Sequence, residues 1–188
     1  RDPNAPTHAV FLSGNGPLVE VLQYQLKDPG GGGQTFVRGV RDYLGTYVPR
    51  ADKVPPEHLL VFDEAQRAFS AEMIRAKHPD WSPNLIRSQP ELFIDLCERT
   101  PQWCVLVVLI GSGQEIHRGE EEGLRQWRLA LERARDSARW TVHAPAEVEP
   151  VFAGGPVRTS WNPALNLNTS LRFHLAAKLH EFVEGVLQ

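Results

Sequence analysis

A chain of 188 residues with 41% hydrophobic and 23% charged content carries enough apolar material for one cored domain and is too short for two large ones. Its formal charge of −3 and pI of about 6.2 exclude a polybasic nucleic-acid binder, though not a local basic groove. No run approaches the roughly 18 apolar residues of a membrane span, and two cysteines, Cys97 and Cys104, make neither a disulfide framework nor a zinc site. A reducing, cytoplasmic setting with no membrane partner is therefore expected.

The first six residues, Arg1-Asp2-Pro3-Asn4-Ala5-Pro6, hold no initiator Met and lead straight into a strand, as in a piece of a longer polypeptide. His8-Ala9-Val10-Phe11-Leu12 is that strand, ended by the turn Ser13-Gly14-Asn15-Gly16-Pro17. Pro17 suits the first turn of a helix that continues through Leu18, Val19, Leu22 and Leu26. Residues 28–34 contain four consecutive glycines and read as a mobile surface loop. No strand precedes them and no Lys-Ser/Thr pair follows, so they are not a phosphate cradle. Phe36, Val37, Val40, Tyr43, Leu44 and Tyr47 predict a second amphipathic helix, stopped near Pro49.

Leu59-Leu60-Val61-Phe62 follows Pro55-Pro56 and predicts a fully buried parallel strand, with Asp63 and Glu64 at its carboxyl end. Open α/β sheets place their ligands at that end. Two readings fit these residues: an exposed acidic turn, or a Walker B arrangement. In the second, one carboxylate helps to hold Mg²⁺ on a nucleotide's phosphates while its neighbour activates water. A helix is expected over 68–77, then a proline-broken loop at 78–83 and a helix from Pro90 to Cys97. Trp103 to Ile110 is the most apolar stretch and predicts a central strand, running into Gly111-Ser112-Gly113-Gln114. Leu124, Trp127, Leu131 and Ala134 mark one face of another helix. Trp140 to His143 predicts a short strand, 145–163 an irregular stretch and 165–168 an edge strand. A last helix carries Leu175, Leu179, Phe182, Val183 and Val186. His174 and His180, six apart, do not share a helix face and are rejected as a metal pair, and Asn168-Thr169-Ser170 is taken as a chance glycosylation match. Strands alternating with helices in this way predict an α/β fold with a parallel sheet. Its strand-to-helix turns (Ser13-Gly14-Asn15, Asp63-Glu64-Ala65-Gln66, Gly111-Ser112-Gly113-Gln114 and Thr169 to Arg172) would gather on one edge.

Laid out in order, these segments resemble a superfamily 1 helicase-type ATPase core, and more narrowly the domain of unknown function 2075 group, related to the helicase-like half of long Schlafen proteins. The residues that carry the resemblance are Phe11 to Leu18, Val61 to Arg67, Leu109 to Ile116, Gly119-Glu120-Glu121 with Gly123-Leu124 and Trp127, and Thr169 to His174. It implies a three-layer RecA-like P-loop NTPase core with a mainly parallel sheet, a single lobe over 1–188 that is incomplete at its N-terminus. It also implies ATP and Mg²⁺ as cofactors and single-stranded or duplex DNA or RNA as partner. By the resemblance, Asp63 holds the metal, Asp63, Gln66 and Arg67 bind nucleotide, and Glu64, Gln114 and Arg172 are catalytic, Arg172 as an arginine finger. Ser13, Gly14 and Asn15 would contact the nucleic-acid strand. Ser112 stands where the glutamine motif usually has Asp, and nothing in the chain reads G-x-x-x-x-G-K-[ST]. The missing phosphate loop and a second RecA-like lobe are therefore expected from the parent polypeptide, and the isolated chain should hydrolyse ATP poorly. The alternative is a catalytically inactive, nucleotide-hydrolase-derived binding or regulatory module. A nuclease built on Asp63 and Glu64 is a weaker third reading, because two-metal nucleases need more carboxylates than this pair supplies.

Overall fold

The computed structural model describes residues 9–27, 33–111 and 123–167. Strand β1 (Ala9–Ser13) ends in a turn where Asn15 caps helix α1 (Gly16–Gln25), its side-chain oxygen accepting from the Leu18 amide at 3.3 Å. Pro17 occupies the first turn of that helix, as its fixed φ and missing N–H allow. A one-turn helix, α2 (Gly33–Phe36), then leads into strand β2 (Val37–Gly39) and helix α3 (Val40–Tyr47). A side chain on Gly33 would collide with the Gln23 carbonyl of α1, so this last glycine of the run is required by a close backbone approach.

The single helix expected from Phe36 onward is thus two elements. Val37 pairs with Phe11 in parallel register, and the sheet edge offered by β1 overrides a periodicity that a short strand also satisfies. Strand β3 (Leu59–Phe62) follows, then a single 3₁₀ turn at Ala65–Arg67 and helix α4 (Ala71–Lys77), which begins three residues later than expected because the Ser70 hydroxyl caps it. Helix α5 (Gln89–Arg99) opens with a reciprocal capping box between Ser88 and Glu91. Strand β4 (Val105–Val108), helix α6 (Gly123–Glu132), strand β5 (Thr141–Ala144), the short helix α7 (Glu149–Phe152) and strand β6 (Arg158–Trp161) complete the described elements.

The larger sheet has the order β2-β1-β3-β4 and every pairing in it is parallel, as the alternation of elements predicted. One of its faces is thoroughly covered. Val10, Leu12, Leu60 and Phe62 alternate onto that side and pack with Tyr43 and Leu44 of α3, Leu92, Phe93 and Leu96 of α5 and Trp127 of α6. Phe62 lies at the centre, its ring 5.0 Å from Phe93 and 6.0 Å from Trp127. Each such fully buried side chain contributes on the order of 1.5–3 kcal/mol relative to exposure. On the opposite face α1 lies against β1 and β2, while Phe11 and Val61 are half-buried and Val105 and Val107 are exposed. Among the described residues the second covering layer is therefore partial.

Strands β5 and β6 form a separate parallel pair over a second cluster built from Ile94, Ala130, Leu131 and Phe152. Strand β6 lies within the stretch expected to be irregular, because Arg158-Thr159-Ser160-Trp161 has no apolar alternation to announce it. The edge strand expected at 165–168 is not formed over its described residues. Pro163–Leu165 is a 3₁₀ turn, initiated by the Asn162 side chain accepting from the Ala164 amide at 3.0 Å. Carboxylates of α5 tie the two halves together: Asp95 meets Arg87, Arg99 and Arg135, and Glu98 accepts from the amides of Arg135 and Asp136. The last expected helix lies outside the described residues.

Candidate functional site

The parallel register carries the ends of β1, β3 and β4 to one edge. Leu12 stands opposite Phe62 and Phe62 opposite Val108, and the chain beyond each strand stays in step. The Asp63 amide donates to the Leu12 carbonyl at 2.9 Å, and the Ala65 amide donates to the Leu109 carbonyl at 2.9 Å. The turns at Ser13 to Asn15, Asp63 to Gln66 and Gly111 are thereby neighbours, as their sequence positions predicted.

Backbone geometry sets Glu64 apart. It sits in the left-handed region at φ 55° and ψ 40°, where a residue with a Cβ is strained by on the order of 1 kcal/mol. Three contacts hold the conformation. The Gln66 side-chain amide donates to Glu64 Oε2 at 2.7 Å, Arg67 Nε lies 3.6 Å from the same oxygen, and the indole N–H of Trp127 donates to the Ala65 carbonyl at 3.1 Å. The ion pair is about two-fifths exposed on each side and contributes ~0–1 kcal/mol, so it orients more than it stabilises.

Gln66 is buried, and its other amide atom accepts from the Gly111 N–H at 3.0 Å. It is a tie between the acidic turn and the chain leaving β4. The resemblance implies nucleotide binding for Gln66, and the structure adds the tie between strand ends. Asp63 is partly buried. Burial first, then the neighbouring Glu64 carboxylate, pushes its pKa above the ordinary aspartate range, partly offset by a backbone hydrogen bond. A raised pKa means that ionising Asp63 opposes folding, so its contribution to stability falls as pH rises from the unfolded value of about 3.9 through the raised native one.

Of the three residues expected to meet a nucleic-acid strand, Ser13 is buried, and its hydroxyl accepts from the Asn15 amide at 3.2 Å. Gly14 and Asn15 are exposed beside it. Gln114 and Arg172 lie outside the described residues. Sequence reasoning placed Trp127 on one apolar helix face and among the residues of the resemblance, with no role at the acidic turn. The structure gives it a job, bracing the acidic turn from α6, that its apolar helix face does not reveal. Asp63 and Glu64 open into a cavity of about 1700 Å³ that runs along β4 and β5. That exceeds the roughly 300–1,000 Å³ of ordinary small-molecule pockets.

A family model described as Schlafen group 3, DNA/RNA helicase domain, matches residues 1–188. The chain belongs to this family. No curated protein and no solved structure matches it. Membership in a DNA/RNA helicase-domain family goes with interaction with nucleic acid, and the mainly parallel α/β sheet is compatible with the RecA-like lobe that such domains are expected to carry. No described helix is long and apolar enough to cross a membrane.

The family's chemistry raises the question of a metal. No group of three or more His, Cys, Asp or Glu side chains placed to hold one occurs among the described residues. Mg²⁺ does not need such a group, since it keeps several waters and takes one or two carboxylates together with substrate phosphates. The crowded Asp63–Glu64 pair fits that ion: hard oxygen donors whose mutual repulsion a dication would relieve. No phosphate-cradling glycine loop with Lys-Ser/Thr occurs in the sequence.

Proposed function

We propose that this domain supplies the acidic half of an ATP·Mg²⁺ site in a nucleic-acid-dependent helicase or translocase, within a RecA-like P-loop lobe. The observation that carries the proposal is the left-handed Glu64, held by Gln66 and Arg67 beside Asp63 at the edge where β1, β3 and β4 end. A strained residue kept in place by three side chains is the signature of a functional constraint. Asp63 acts as the metal-side carboxylate and Glu64 as the base that orients or deprotonates the attacking water. Bound Mg²⁺ would neutralise charge on the phosphoryl oxygens. Gln66 fixes Glu64 against the end of β4, so a movement of either strand end is felt at the carboxylate. Gln114 and Arg172 are assigned to the γ-phosphate, and Gly14 and Asn15, steadied by Ser13, to the nucleic-acid backbone. The phosphate loop and a second lobe are contributed by polypeptide other than these residues.

The test is ATP turnover by the full-length protein with Glu64→Gln. General-base loss lowers turnover by roughly 10²–10⁴-fold while nucleotide binding is retained. Unchanged turnover removes the base assignment.

A second reading has its own observation. With no G-x-x-x-x-G-K-[ST] among the 188 residues, the domain could keep the sheet and serve as a catalytically inactive binding or regulatory module. Full-length protein that binds nucleic acid with no ATP turnover would establish that reading.

A further inference from the structure

Between the acidic turn and α5 the chain makes an excursion over residues 70–88. It leaves and returns at one point: the Phe69 amide donates to Gln89 Oε1 at 2.8 Å, and the Gln89 amide donates to the Phe69 carbonyl at 2.8 Å. A segment closed at its base in this way resembles the compact surface loops that frequently carry function. Ile74 of α4 is buried and fixes the excursion to the core, with Trp81, Leu85 and Ile86 packed against the same cluster.

After α4 the chain turns through His78-Pro79-Asp80-Trp81, where the Trp81 amide donates to the His78 carbonyl at 3.1 Å. Proline at the second position presets the backbone for this turn. The turn lays the two rings 3.9 Å apart and 17° from parallel. Both are half-buried, so the stack is anchored on the core and still reaches solvent. Burial first, then the nearby Arg41 guanidinium, lowers the His78 pKa, which leaves the ring neutral at neutral pH. Arg41 is exposed in the first turn of α3, two residues beyond Gly39, and Gly39 is paired with Ser13. It therefore stands at the same sheet edge as Gly14 and Asn15. Exposed Arg41, Arg75 and Lys77 are matched by exposed Asp42, Glu72 and Asp80, so no strong positive field covers this surface. A nucleic-acid strand would be held here by particular contacts, and a flat, neutral ring stack is one that every base accepts.

We infer that the His78–Trp81 stack is a platform for one unpaired base of a nucleic-acid strand, with Arg41 on the adjoining phosphate. This rests on the nucleic-acid part of the function proposed above and is independent of whether the acidic pair serves ATP. The strand passes from Gly14 and Asn15 over the first turn of α3 to the stack, held by its backbone at one end and by a base at the other. The turn and the ring pair are set before the strand arrives, so little ordering is left to oppose binding.

Fluorescence anisotropy of labelled single strands, DNA and RNA, with the full-length protein tests it, beside strands of equal length whose sugars carry no bases. Trp81→Leu keeps apolar contact with the core and should weaken binding of the base-bearing strand at least ~5-fold, the scale of one lost base stack, while the abasic strand binds as before. Arg41→Gln should weaken both strands alike and flatten the dependence of log K on log salt by roughly 0.7, as one lost phosphate contact does. An unchanged salt slope removes the phosphate contact. Equal loss on both strands with Trp81→Leu, or loss on neither, overturns the platform and leaves the acidic site standing. Wild-type protein that binds no single strand overturns the platform together with the nucleic-acid reading beneath it.

Discussion

Glu64 combines a carboxylate with a backbone conformation that disfavours every side chain. Removing the carboxylate in two ways separates these features. Glu64→Gly and Glu64→Ala both delete the base and the contacts to Gln66 and Arg67, but only glycine is at ease at φ 55°. Glu64→Gly should therefore be more stable than Glu64→Ala by about 1 kcal/mol, or ~2–4 °C in melting temperature for a chain of this size, with both inactive. Thermal melts of the two variants check this, and the reverse order would show that the turn relaxes out of the left-handed region. The acidic pair was legible in the sequence because two carboxylates after a run of four apolar residues is a pattern with few uses. The strain on Glu64 was not legible, since a left-handed residue is announced only when it is Gly or Asn.

Legibility ran in parallel with burial among the elements. β1, β3, α5 and α6 bury apolar residues at regular spacing and were readable to within a few residues. β2 and β6 were missed because what makes each a strand is its neighbour: three residues on β1, and a polar run on β5. β4 was readable as a strand and was expected to be central, while the described structure leaves it at an edge. Helix α6 has a second task, carried by the Trp127 indole on the Ala65 carbonyl. Trp127→Phe keeps most of the ring packing and removes one of two donors to that carbonyl, which still accepts from the Ala68 amide at 3.3 Å, so it should destabilise by about 0.5–1.5 kcal/mol. Denaturant titration of the full-length protein measures it, and a change below ~0.5 kcal/mol would mean that the Ala68 amide alone satisfies the carbonyl.

On the scale of the whole molecule, a parallel sheet brings three turns to one edge, beside a cavity that Asp63 and Glu64 line. The candidate site was legible as far as Asp63, Glu64 and the order of the turns. The tie through Gln66 depends on how three strand ends are aligned, which no local pattern encodes. Should the sheet exist to hold a metal-bound triphosphate, the carboxylate crowded by its neighbour must be the one that feels the cation. The most direct measurement is the Mg²⁺ dependence of ATP turnover in the full-length protein and its Asp63→Asn variant. The half-saturating Mg²⁺ concentration should rise at least ~10-fold in the variant, the scale of one lost metal-side interaction. Superimposable Mg²⁺ curves would contradict the assignment of this edge as a nucleotide site.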